Sequence, residues 1–550
     1  MAPVPSRPFR PLAYARRVEA EQAARTEPAP ARRLAWSTAI FAAATGLSRI
    51  LGLFREIVVR RYFGVAGDIN AFTVAFQVPN LVRALAADTA LSSAFVPIFS
   101  ELLEKKDTAR AWRVASTIFW LMLLALGGLT ALFILLAPWI MKAFGLGGDL
   151  EDLAVTLSRV LFPIVVLLGL FGVVVGILNS YERFAVPALT PVFWNVAIIV
   201  ALVVGVPRAE SASSKLYVYA GGVLAGTIIQ LLLPLPWLRG LDGRLRVAID
   251  VRDPAVKRVF VLMLPVTLGI GLINFNLVVD TFFAARFLNP RLAPSAIDAA
   301  FRIYMLPQGM FSVAVATVLF PRLSRLAARA DTEAFRETVS LGLRQIGFLL
   351  IPASAVGAIL AVPIVRLLYQ RGMFEADQTR VVAAALAAFA LGLTFNGTML
   401  LLNRAFFSLQ SPWVPTAIAL GNLFVNAGLD AALYRVGVWG IPLSTSLVNI
   451  AGTAGLLLVF RRRLGRIGGR RILDAYARIG IASALTAGVS LLLWLGLDDL
   501  LGRSLGGQVG SVGLALLAGG VLFLALARLM HIRELDALLS LRRRSATTGQ

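Results

Sequence analysis

The chain has no cysteine and a single histidine, His531, in 550 residues. Without cysteine it can form no disulfide, use no thiol in catalysis and build no cysteine-based metal site. The sequence also lacks an HExxH zinc motif, a glycine-rich nucleotide-binding loop and a paired-carboxylate motif. His531 stands beside a basic C-terminal stretch, where we expect it to be solvated. These absences argue against an ATPase and against a thiol- or zinc-dependent enzyme.

Charged residues are scarce as well. They make up 15% of the chain, whereas 58% of the residues are hydrophobic and the mean hydropathy is +0.79. A soluble core could not bury so much apolar surface, so the composition indicates a polytopic membrane protein. Basic residues exceed acidic ones and give a net charge of +23. We expect this charge to concentrate in short loops facing the anionic cytoplasmic leaflet.

Long apolar runs recur along the chain. Taking a membrane span as about 20 apolar residues, we predict fourteen transmembrane helices, with approximate limits 36–62, 69–101, 112–142, 153–178, 186–206, 216–238, 257–288, 295–321, 339–369, 380–409, 413–433, 436–460, 475–497 and 507–530. Lys and Arg concentrate in the connections after even-numbered spans. Because cytoplasmic loops hold the excess of these residues, both termini are predicted to lie in the cytoplasm. The predicted fold class is an all-α polytopic membrane protein.

The two ends of the chain differ from the apolar part. Residues 1–34 are rich in Pro, Ala and Arg and contain no apolar stretch of the kind a signal peptide needs. We therefore predict a disordered cytoplasmic N-terminal tail over 1–34. Residues 532–550 are predicted to form a cytoplasmic C-terminal tail.

The two halves of the chain echo each other. ILNSYERFAVPALTPVFWNV at 177–196 is matched by LLNRAFFSLQSPWVPTAIALGNL at 401–423. Six spans per unit make the units parallel repeats about an axis along the membrane normal. We predict two pseudo-symmetric six-helix lobes, 35–245 and 246–470, followed by a helix pair within 471–531. Two such lobes are typical of an alternating-access carrier, although a channel or a scaffold can also be built from repeats.

Four arginines stand inside apolar runs, where each costs between about 2.5 and well over 10 kcal/mol unless water or a partner reaches it. They are Arg49, Arg55, Arg83 and Arg302. One interpretation is that each neutralises a nearby acid. The candidate acids are Glu56, Asp68, Asp88, Asp280 and Asp298. The other interpretation is that the arginines outnumber the intramembrane acids and line a cavity for a phosphate-bearing cargo, which guanidinium groups bind well.

A second polar set lies in the second half. Asn422, Asn426 and Asp430 are four residues apart and therefore share nearly one helix face. Asp280 lies in span seven, and Ser444, Thr445 and Ser446 begin span twelve. Carboxylate, amide and hydroxyl oxygens suit a small hard cation. Polar residues at this spacing also hold helices together, so the spacing leaves both interpretations open.

The stretch SRILGLFREIVVRRYFG, followed by NAFTVAFQVPNLVR and SSAFVPIFSE, resembles the MurJ (MviN) family of lipid II flippases, in the multidrug, oligosaccharidyl-lipid and polysaccharide exporter superfamily. The resemblance covers about 36–530 and implies fourteen helices in two six-helix lobes with a final pair. It implies a bacterial inner-membrane transporter rather than an enzyme. Such a protein moves the undecaprenyl-diphosphate-linked peptidoglycan precursor to the periplasmic leaflet, and so serves cell-wall biogenesis and cell shape.

The resemblance also implies residue roles. It implies that the diphosphate and sugar head group are held by Arg49, Arg55, Arg83 and Arg302, while the last two spans form a groove for the polyprenyl tail. Some relatives bind sodium, which makes Na⁺ the candidate cofactor. The similar residues here are Asp280, Asn426, Asp430 and Thr445. One departure concerns Asn70, where many relatives have Asp. If the helix has already begun at Asp68, this residue lies about 200° around it from Asn70 and cannot simply replace that carboxylate.

We expect a monomer that carries lipid II by alternating access, with the cell-wall synthesis machinery as a candidate partner. A gradient, the membrane potential or downhill substrate movement would supply the energy. Three alternatives remain. The chain could export another polyprenyl-linked glycan or a drug, although a drug carrier should not need four cavity arginines. It could be a non-transporting scaffold, or a membrane glycosyltransferase, which the lack of an acid or metal cluster disfavours.

Overall fold

The computed structural model describes residues 28–86 and 89–535, and this part of the chain is helical without a β-strand. In chain order the helices are α1 (Pro28–Phe63), α2 (Ile69–Ala86), α3 (Thr89–Glu104), α4 (Thr108–Phe144), α5 (Gly148–Leu161), α6 (Pro163–Ser180), α7 (Ala185–Val200), α8 (Ala212–Leu232), α9 (Pro254–Phe287), α10 (Ala293–Pro307), α11 (Val313–Ala328), α12 (Thr332–Ile359), α13 (Ala361–Tyr369), α14 (Ala376–Ser408), α15 (Trp413–Leu433), α16 (Gly440–Leu464), α17 (Gly469–Leu501) and α18 (Leu505–Leu529). A π-helical turn, Gln308–Ser312, joins α10 to α11. The predicted all-α membrane fold is confirmed.

Within the described ranges, eleven helical segments are long and apolar enough to cross a membrane. They begin with Thr108–Phe144 and end with Leu505–Leu529, and several consist of two consecutive helices, such as α10 with α11. The predicted spans 36–62, 69–101 and 257–288 coincide with helices but are not among the eleven. The number fourteen therefore stays a prediction.

The ends of the chain differ from the predicted tails. Most of the tail predicted over 1–34 lies outside the described residues, but α1 already begins at Pro28. Proline is well suited to the first turn of a helix, and the Ala and Arg residues that follow it are good helix formers, so the predicted boundary of 34 is too late. At the other end, Ile532, Glu534 and Leu535 are buried, so this part of the predicted tail at 532–550 is packed. His531 is exposed, as predicted.

The repeat is visible in the turns between helices. Lys106 and Ala330 both adopt the left-handed conformation, with φ of 58° and 55°, and each is followed by an Asp that caps the next helix. Glu182 and Gln410 adopt it as well, with φ of 57° and 54°, just before α7 and α15. The same turns recur in the same order in each half, as expected of parallel repeats.

The apolar cores follow the halves of the chain except at α9, which packs Ala255, Val256, Val259 and Ala285 into the cores of the first half. Two cores are formed by residues within 58–285, and a third is formed by residues within 284–460 together with Val65. Smaller cores join α12 and α13 to α17 and α18, where the rings of Phe348 and Phe523 lie 5.4 Å apart. The last helix pair is thus attached to the second half. The lobe boundaries at 245 and 470 remain predictions.

A polar clamp holds the start of α9 against α4. Arg110 donates two hydrogen bonds, of 2.9 and 2.8 Å, to the carboxylate of Asp253, the residue that caps α9. These hydrogen bonds from the Arg110 guanidinium hold the pKa of Asp253 below its usual range. The clamp fixes where the second half begins relative to the first.

Candidate functional site

A cavity of about 140 Å³ lies between the two halves of the chain. Helices α1, α2, α7 and α8 line it from the first half, and α9, α10 and α14 line it from the second. One face of α2 lines the cavity with polar side chains, which belong to Thr73, Gln77 and Asn80. Much of the remaining wall is aromatic and consists of Phe72, Phe76, Trp194, Tyr219, Phe301 and Phe389.

Three arginines and two carboxylates meet at one wall of this cavity. Arg55 Nη2 lies 2.6 Å from Glu56 Oε1. Asp298 lies between two guanidinium groups, 2.8 Å from Arg60 Nη2 and 3.2 Å from Arg302 Nη2. Glu56 is also 3.9 Å from both Arg60 and Arg302. Three arginines share two carboxylates within the cluster, and Asp280 is a third carboxylate of the cavity lining.

Arg55 is fixed by neighbours from α7. Its Nη1 donates to Asn195 Oδ1 at 3.1 Å, and its guanidinium group lies 4.7 Å from the ring centroid of Trp194. Asn195 is itself oriented, because its Nδ2 donates to the Pro191 carbonyl at 2.9 Å. The buried Arg55 is therefore preorganised on the cavity wall.

Arg60 and Arg302 differ in their access to the cavity. The side chain of Arg60 is 2% exposed and also donates to Ser295 Oγ at 2.6 Å. The side chain of Arg302 is 40% exposed. Both share Asp298, but only Arg302 has a substantial open surface. Arg302 is therefore the arginine of the cluster best placed to meet a ligand.

The structure brings together Arg55 and Arg302 of the four predicted arginines, whereas Arg49 and Arg83 are not part of the cavity wall in this conformation. Arg49 is exposed and points toward the π-helical turn, where a Cβ added to Gly309 would lie 3.4 Å from its Nη1. Arg83 donates to Asn80 Oδ1 at 3.2 Å from Nε and 2.8 Å from Nη2. Through Asn80, Arg83 borders the cavity.

Some of the predicted acids do pair with arginines of the cluster. Glu56 and Asp298 neutralise part of the cluster, as described above. Asp68 instead accepts a hydrogen bond from Arg291 at 3.0 Å. Asp88 lies outside the described residues.

Sequence reasoning missed Arg60, Asn195 and Ser295. Arg60 was not predicted because Arg60 and Arg61 stand together near the end of an apolar run, a pattern typical of charges at the membrane interface. Its spacing of four from Glu56 was a usable signal, since residues four apart lie on one helix face. The roles of Asn195 and Ser295 depend on contacts between distant segments and left no local signal.

Beside the cluster, the two halves meet in an interlobe seam formed by residues 61–70 of the first half and residues 289–298 and 371–378 of the second. Two backbone bonds cross it, from Met373 N to the Arg61 carbonyl at 2.9 Å and from Gly67 N to the Arg291 carbonyl at 2.7 Å. Gly64 has φ of +61°, and a Cβ there would lie 2.6 Å from the Met373 carbonyl oxygen. The seam closes one end of the cavity by direct backbone contact.

Asn70 lies in this seam and uses both ends of its amide. Its Nδ2 donates to the carbonyls of Val65 and Gly67 at 3.0 and 2.9 Å. Its Oδ1 accepts from Ser295 N at 2.8 Å, across the seam. An ionised aspartate could accept from Ser295 but could not donate to either carbonyl. The amide therefore suits this position in the closed seam.

The predicted cation ligands also come together. Asn426 Nδ2 donates to Asp280 Oδ1 at 2.6 Å and to Asp430 Oδ2 at 3.2 Å, and Thr445 Oγ1 donates to Asp280 Oδ2 at 3.2 Å. Asp430 Oδ1 is buried without a hydrogen-bond partner. Asn422 shares their buried face of α15, as its spacing predicts.

This donor set fits a small cation. Two buried carboxylates stand together, and the described residues show no arginine or lysine paired with either. Such uncompensated negative charge is costly in a membrane interior, and hard oxygen ligands of this kind suit a small hard cation. The described residues contain no group of three or more His, Cys, Asp or Glu side chains that could hold a metal ion, so neutral oxygens would have to complete the ligand set.

Comparison with known proteins gives a consistent result. The family model described as lipid II flippase MurJ matches residues 59–497. A protein of Burkholderia cenocepacia named lipid II flippase MurJ is 32% identical over 428 residues, covering 76% of this chain and 82% of that protein.

Two solved structures share the fold. A structure titled lipid II flippase MurJ, inward closed conformation, superposes with a TM-score of 0.73 at 24% identity, covering 89% of this chain and 98% of that one. An inward-facing multidrug resistance MATE family transporter of the MOP superfamily gives a TM-score of 0.67 at 16% identity, covering 78% of this chain and 98% of that one.

Proposed function

The chain belongs to the lipid II flippase MurJ family, and from this membership and the central cavity we propose that it moves lipid II across the bacterial inner membrane. Its many apolar helices make it a multi-pass protein of that membrane. The proposed transport makes and breaks no covalent bond. Lipid II and the membrane are the implied partners, and the monomeric state and contact with cell-wall enzymes belong to the proposal.

The observation that supports this proposal is the arginine cluster, in which three arginines share two carboxylates and Arg302 keeps an open surface. Arg302 faces the cavity while sharing its two carboxylates with Arg55 and Arg60. A diphosphate offers several acceptor oxygens that guanidinium groups bind in pairs. The aromatic wall offers flat apolar surfaces against which sugar rings can pack. Arg302 and Arg55 would hold the diphosphate, and Arg49 and Arg83 would join them as the cavity widens.

The cavity must widen for this to happen. A cavity of about 140 Å³ has room for on the order of ten water molecules at about 10–15 Å³ each, which is less than a glycopeptide head group needs. We therefore assign the structure to a contracted state with the interlobe seam closed. Transport would proceed by opening the cavity at one face, binding the head group, and then opening the seam, while the polyprenyl tail stays in lipid along α17 and α18.

The orientation of the chain is part of the proposal. The basic connections, such as that between α16 and α17, would face the cytoplasm, because Lys and Arg accumulate on that side. Both termini would then be cytoplasmic, and the seam after α1 would lie at the periplasmic face. The seam is thus the proposed periplasmic gate.

We also propose that Asp280, Asn426, Asp430 and Thr445 hold Na⁺. When bound, the ion would supply positive charge that neutralises the two buried carboxylates. The support is that the two carboxylates meet at the Asn426 amide nitrogen, that Thr445 Oγ1 lies 3.2 Å from Asp280 Oδ2, and that Asp430 Oδ1 is unpartnered. The Asn426 amide would have to turn its Oδ1 toward the ion. Asp280 also lines the central cavity, so the site and the cavity share one side chain.

Reconstitution into vesicles containing labelled lipid II tests the function. We expect lipid II to change leaflets faster than in protein-free vesicles, while a labelled zwitterionic lipid does not, and a sodium gradient should alter the rate. Equal movement of both lipids would contradict the proposal. Uptake of cationic drugs without lipid II movement would favour the drug exporter instead.

A further inference from the structure

A second cavity, of about 470 Å³, lies far from the central one along the chain. It is formed where α11 ends, where α12 begins and where the connection from α16 enters α17. We call it the basic pocket. Its charged lining residues are Arg322, Glu333, Arg336, Glu337, Arg344, Arg466 and Arg471.

The basic pocket carries surplus positive charge. Arg344 is committed to Glu534, with Nη1 2.9 Å from Oε1. Within the described part of the chain, the other four arginines and the two glutamates form no ion pair. Four positive and two negative groups leave two positive charges directed at the pocket.

Four segments contribute these arginines, so the pocket is not a property of one helix. Arg322 belongs to α11, Arg336 to α12 and Arg471 to the first turn of α17, while Arg466 lies in the connection before α17. The guanidinium group of Arg336 lies against the turn at Gly465, where a Cβ would be 3.0 Å from its Nη1. Arg336 therefore lies beside the turn that leads into α17.

The pocket lies beside the first residues of two helices that are apolar enough to cross a membrane. Gly469–Leu501 and Thr332–Ile359 are apolar enough to cross a membrane, and both have their first residues beside the pocket. Leu341 and Ile467 add apolar lining, and the exposed Leu473 follows on α17. A ligand here would have a charged part among the arginines and an apolar part along the helices.

From this arrangement we propose that the basic pocket binds the phosphate head group of an anionic membrane phospholipid. Basic pockets between helices at the cytoplasmic face have the charge and position that such head groups require. The guanidinium groups would bind the phosphate oxygens, and the acyl chains would follow the apolar surface of α17.

A bound lipid would strengthen the attachment of the last helix pair. Besides the apolar cores, that attachment includes the hydrogen bond from Tyr476 OH to the Leu343 carbonyl, at 2.8 Å, and the Arg344–Glu534 ion pair. A phosphate held by both Arg336 and Arg471 would bridge α12 to α17. Anionic lipid should therefore raise the melting temperature of the intact protein.

The test compares purified full-length protein with phosphatidylglycerol and with phosphatidylcholine, using lipid retained in native mass spectra and the shift in melting temperature. The pocket variant combines Arg336→Gln, Arg466→Gln and Arg471→Gln. The matched control combines Arg461→Gln, Arg462→Gln and Arg463→Gln, which removes the same charge nearby but outside the pocket lining. We expect the pocket variant to bind phosphatidylglycerol at least about tenfold more weakly and the control to bind like the wild type.

A second variant is expected to gain affinity, so that a loss caused by misfolding of the pocket variant cannot be mistaken for support. Glu333→Gln with Glu337→Gln removes two exposed acids from the rim and should bind phosphatidylglycerol more tightly than the wild type. Equal losses in the pocket variant and its control would overturn the proposal, as would equal binding of phosphatidylcholine. Displacement of the lipid by an equal concentration of inorganic phosphate would assign the pocket to a soluble anion. Displacement by lipid II at equal concentration would assign it to the transported lipid, which also contradicts the proposal.

Discussion

The amide group of Asn70 makes hydrogen bonds within the seam that a carboxylate could not all make. Two donated bonds go to backbone carbonyls of its own turn, and one accepted bond comes from Ser295 of the other half. The side chain thus shapes the α1–α2 turn and ties it across the seam. A carboxylate of the same size could do only the second of these tasks.

Asn70→Asp should therefore destabilise the closed seam. The substitution places a negative group against two carbonyl oxygens and leaves them without a donor, at a cost of about 1–3 kcal/mol. We expect a lower melting temperature in detergent. Asn289→Asp is the matched control, because among the described residues the exposed Asn289 side chain makes one hydrogen bond, which its Oδ1 accepts from Arg291 N. Equal melting temperatures for wild type and Asn70→Asp would show that the amide does not hold the seam.

Arg60 and Arg302 share Asp298 but should respond differently to substitution. Arg60→Gln removes a buried partner of Asp298, which should cost about 3–5 kcal/mol of stability and lower the melting temperature. The half-open Arg302 should be replaced by Gln with a much smaller effect on melting, because solvent in the cavity can reach the site. Melting curves of the two variants measure the difference. Equal melting temperatures for the two variants would mean that the deeper burial of Arg60 does not make it more important for stability than Arg302.

At the scale of single elements, α15 is polar on its buried side. Pro415, Asn422, Asn426 and Asp430 are its buried residues, and apolar side chains such as Phe424 face outward. This is the reverse of a helix in a soluble protein and suits a helix surrounded by lipid. The spacing of four in the sequence was enough to predict this face.

Sodium should stabilise the protein through this helix. An ion that binds the folded state and not the unfolded state raises the free energy of unfolding by about 2.7 kcal/mol when the ion concentration is one hundred times its Kd. We expect NaCl to raise the melting temperature more than KCl at equal ionic strength, and Asp430→Asn to abolish the difference. Asp377→Asn, at an exposed position, should keep it. A sodium-specific shift that survives in Asp430→Asn would place the ion elsewhere.

The sequence was informative about elements and much less so about their junctions. Apolar runs and the i, i+4 spacing on α15 are local patterns, and the structure has helices there. The meeting of Asp280 with Asn426 and Thr445 was suggested by their residue types and strengthened by the resemblance, because no spacing within one helix relates residues on three helices. Arg60 pairing with Ser295 and Asp298, more than two hundred residues away, depends on how the halves dock. No periodicity within one helix encodes such docking.

The whole molecule is organised as two halves that must separate at the seam for transport to occur. The chain has no native cysteine, so an engineered pair can report on this motion without background. Arg61 and Met373 are suitable because both are exposed and a backbone bond of 2.9 Å joins them. Neighbouring backbones of this kind bring Cα atoms near the range that a disulfide accepts.

Arg61→Cys with Met373→Cys should cross-link the halves under oxidising conditions. We expect oxidation to stop lipid II movement in vesicles and reduction to restore it, because the proposed gate can open only when the bond is broken. Each single variant should be insensitive to oxidation. Unchanged transport by the fully oxidised double variant would rule out opening at the seam.

The arginine cluster of the interlobe cavity, with Arg302 as its open member, should capture the diphosphate of lipid II. The most direct measurement is the initial rate of lipid II movement in vesicles with Arg302→Gln, compared with Arg325→Gln at an exposed position outside the cavity. Loss of a charge-assisted hydrogen bond corresponds to about 1.5–3 kcal/mol. We therefore predict a rate at least about tenfold lower for Arg302→Gln and an unchanged rate for Arg325→Gln. A wild-type rate in folded, correctly inserted Arg302→Gln would contradict the account.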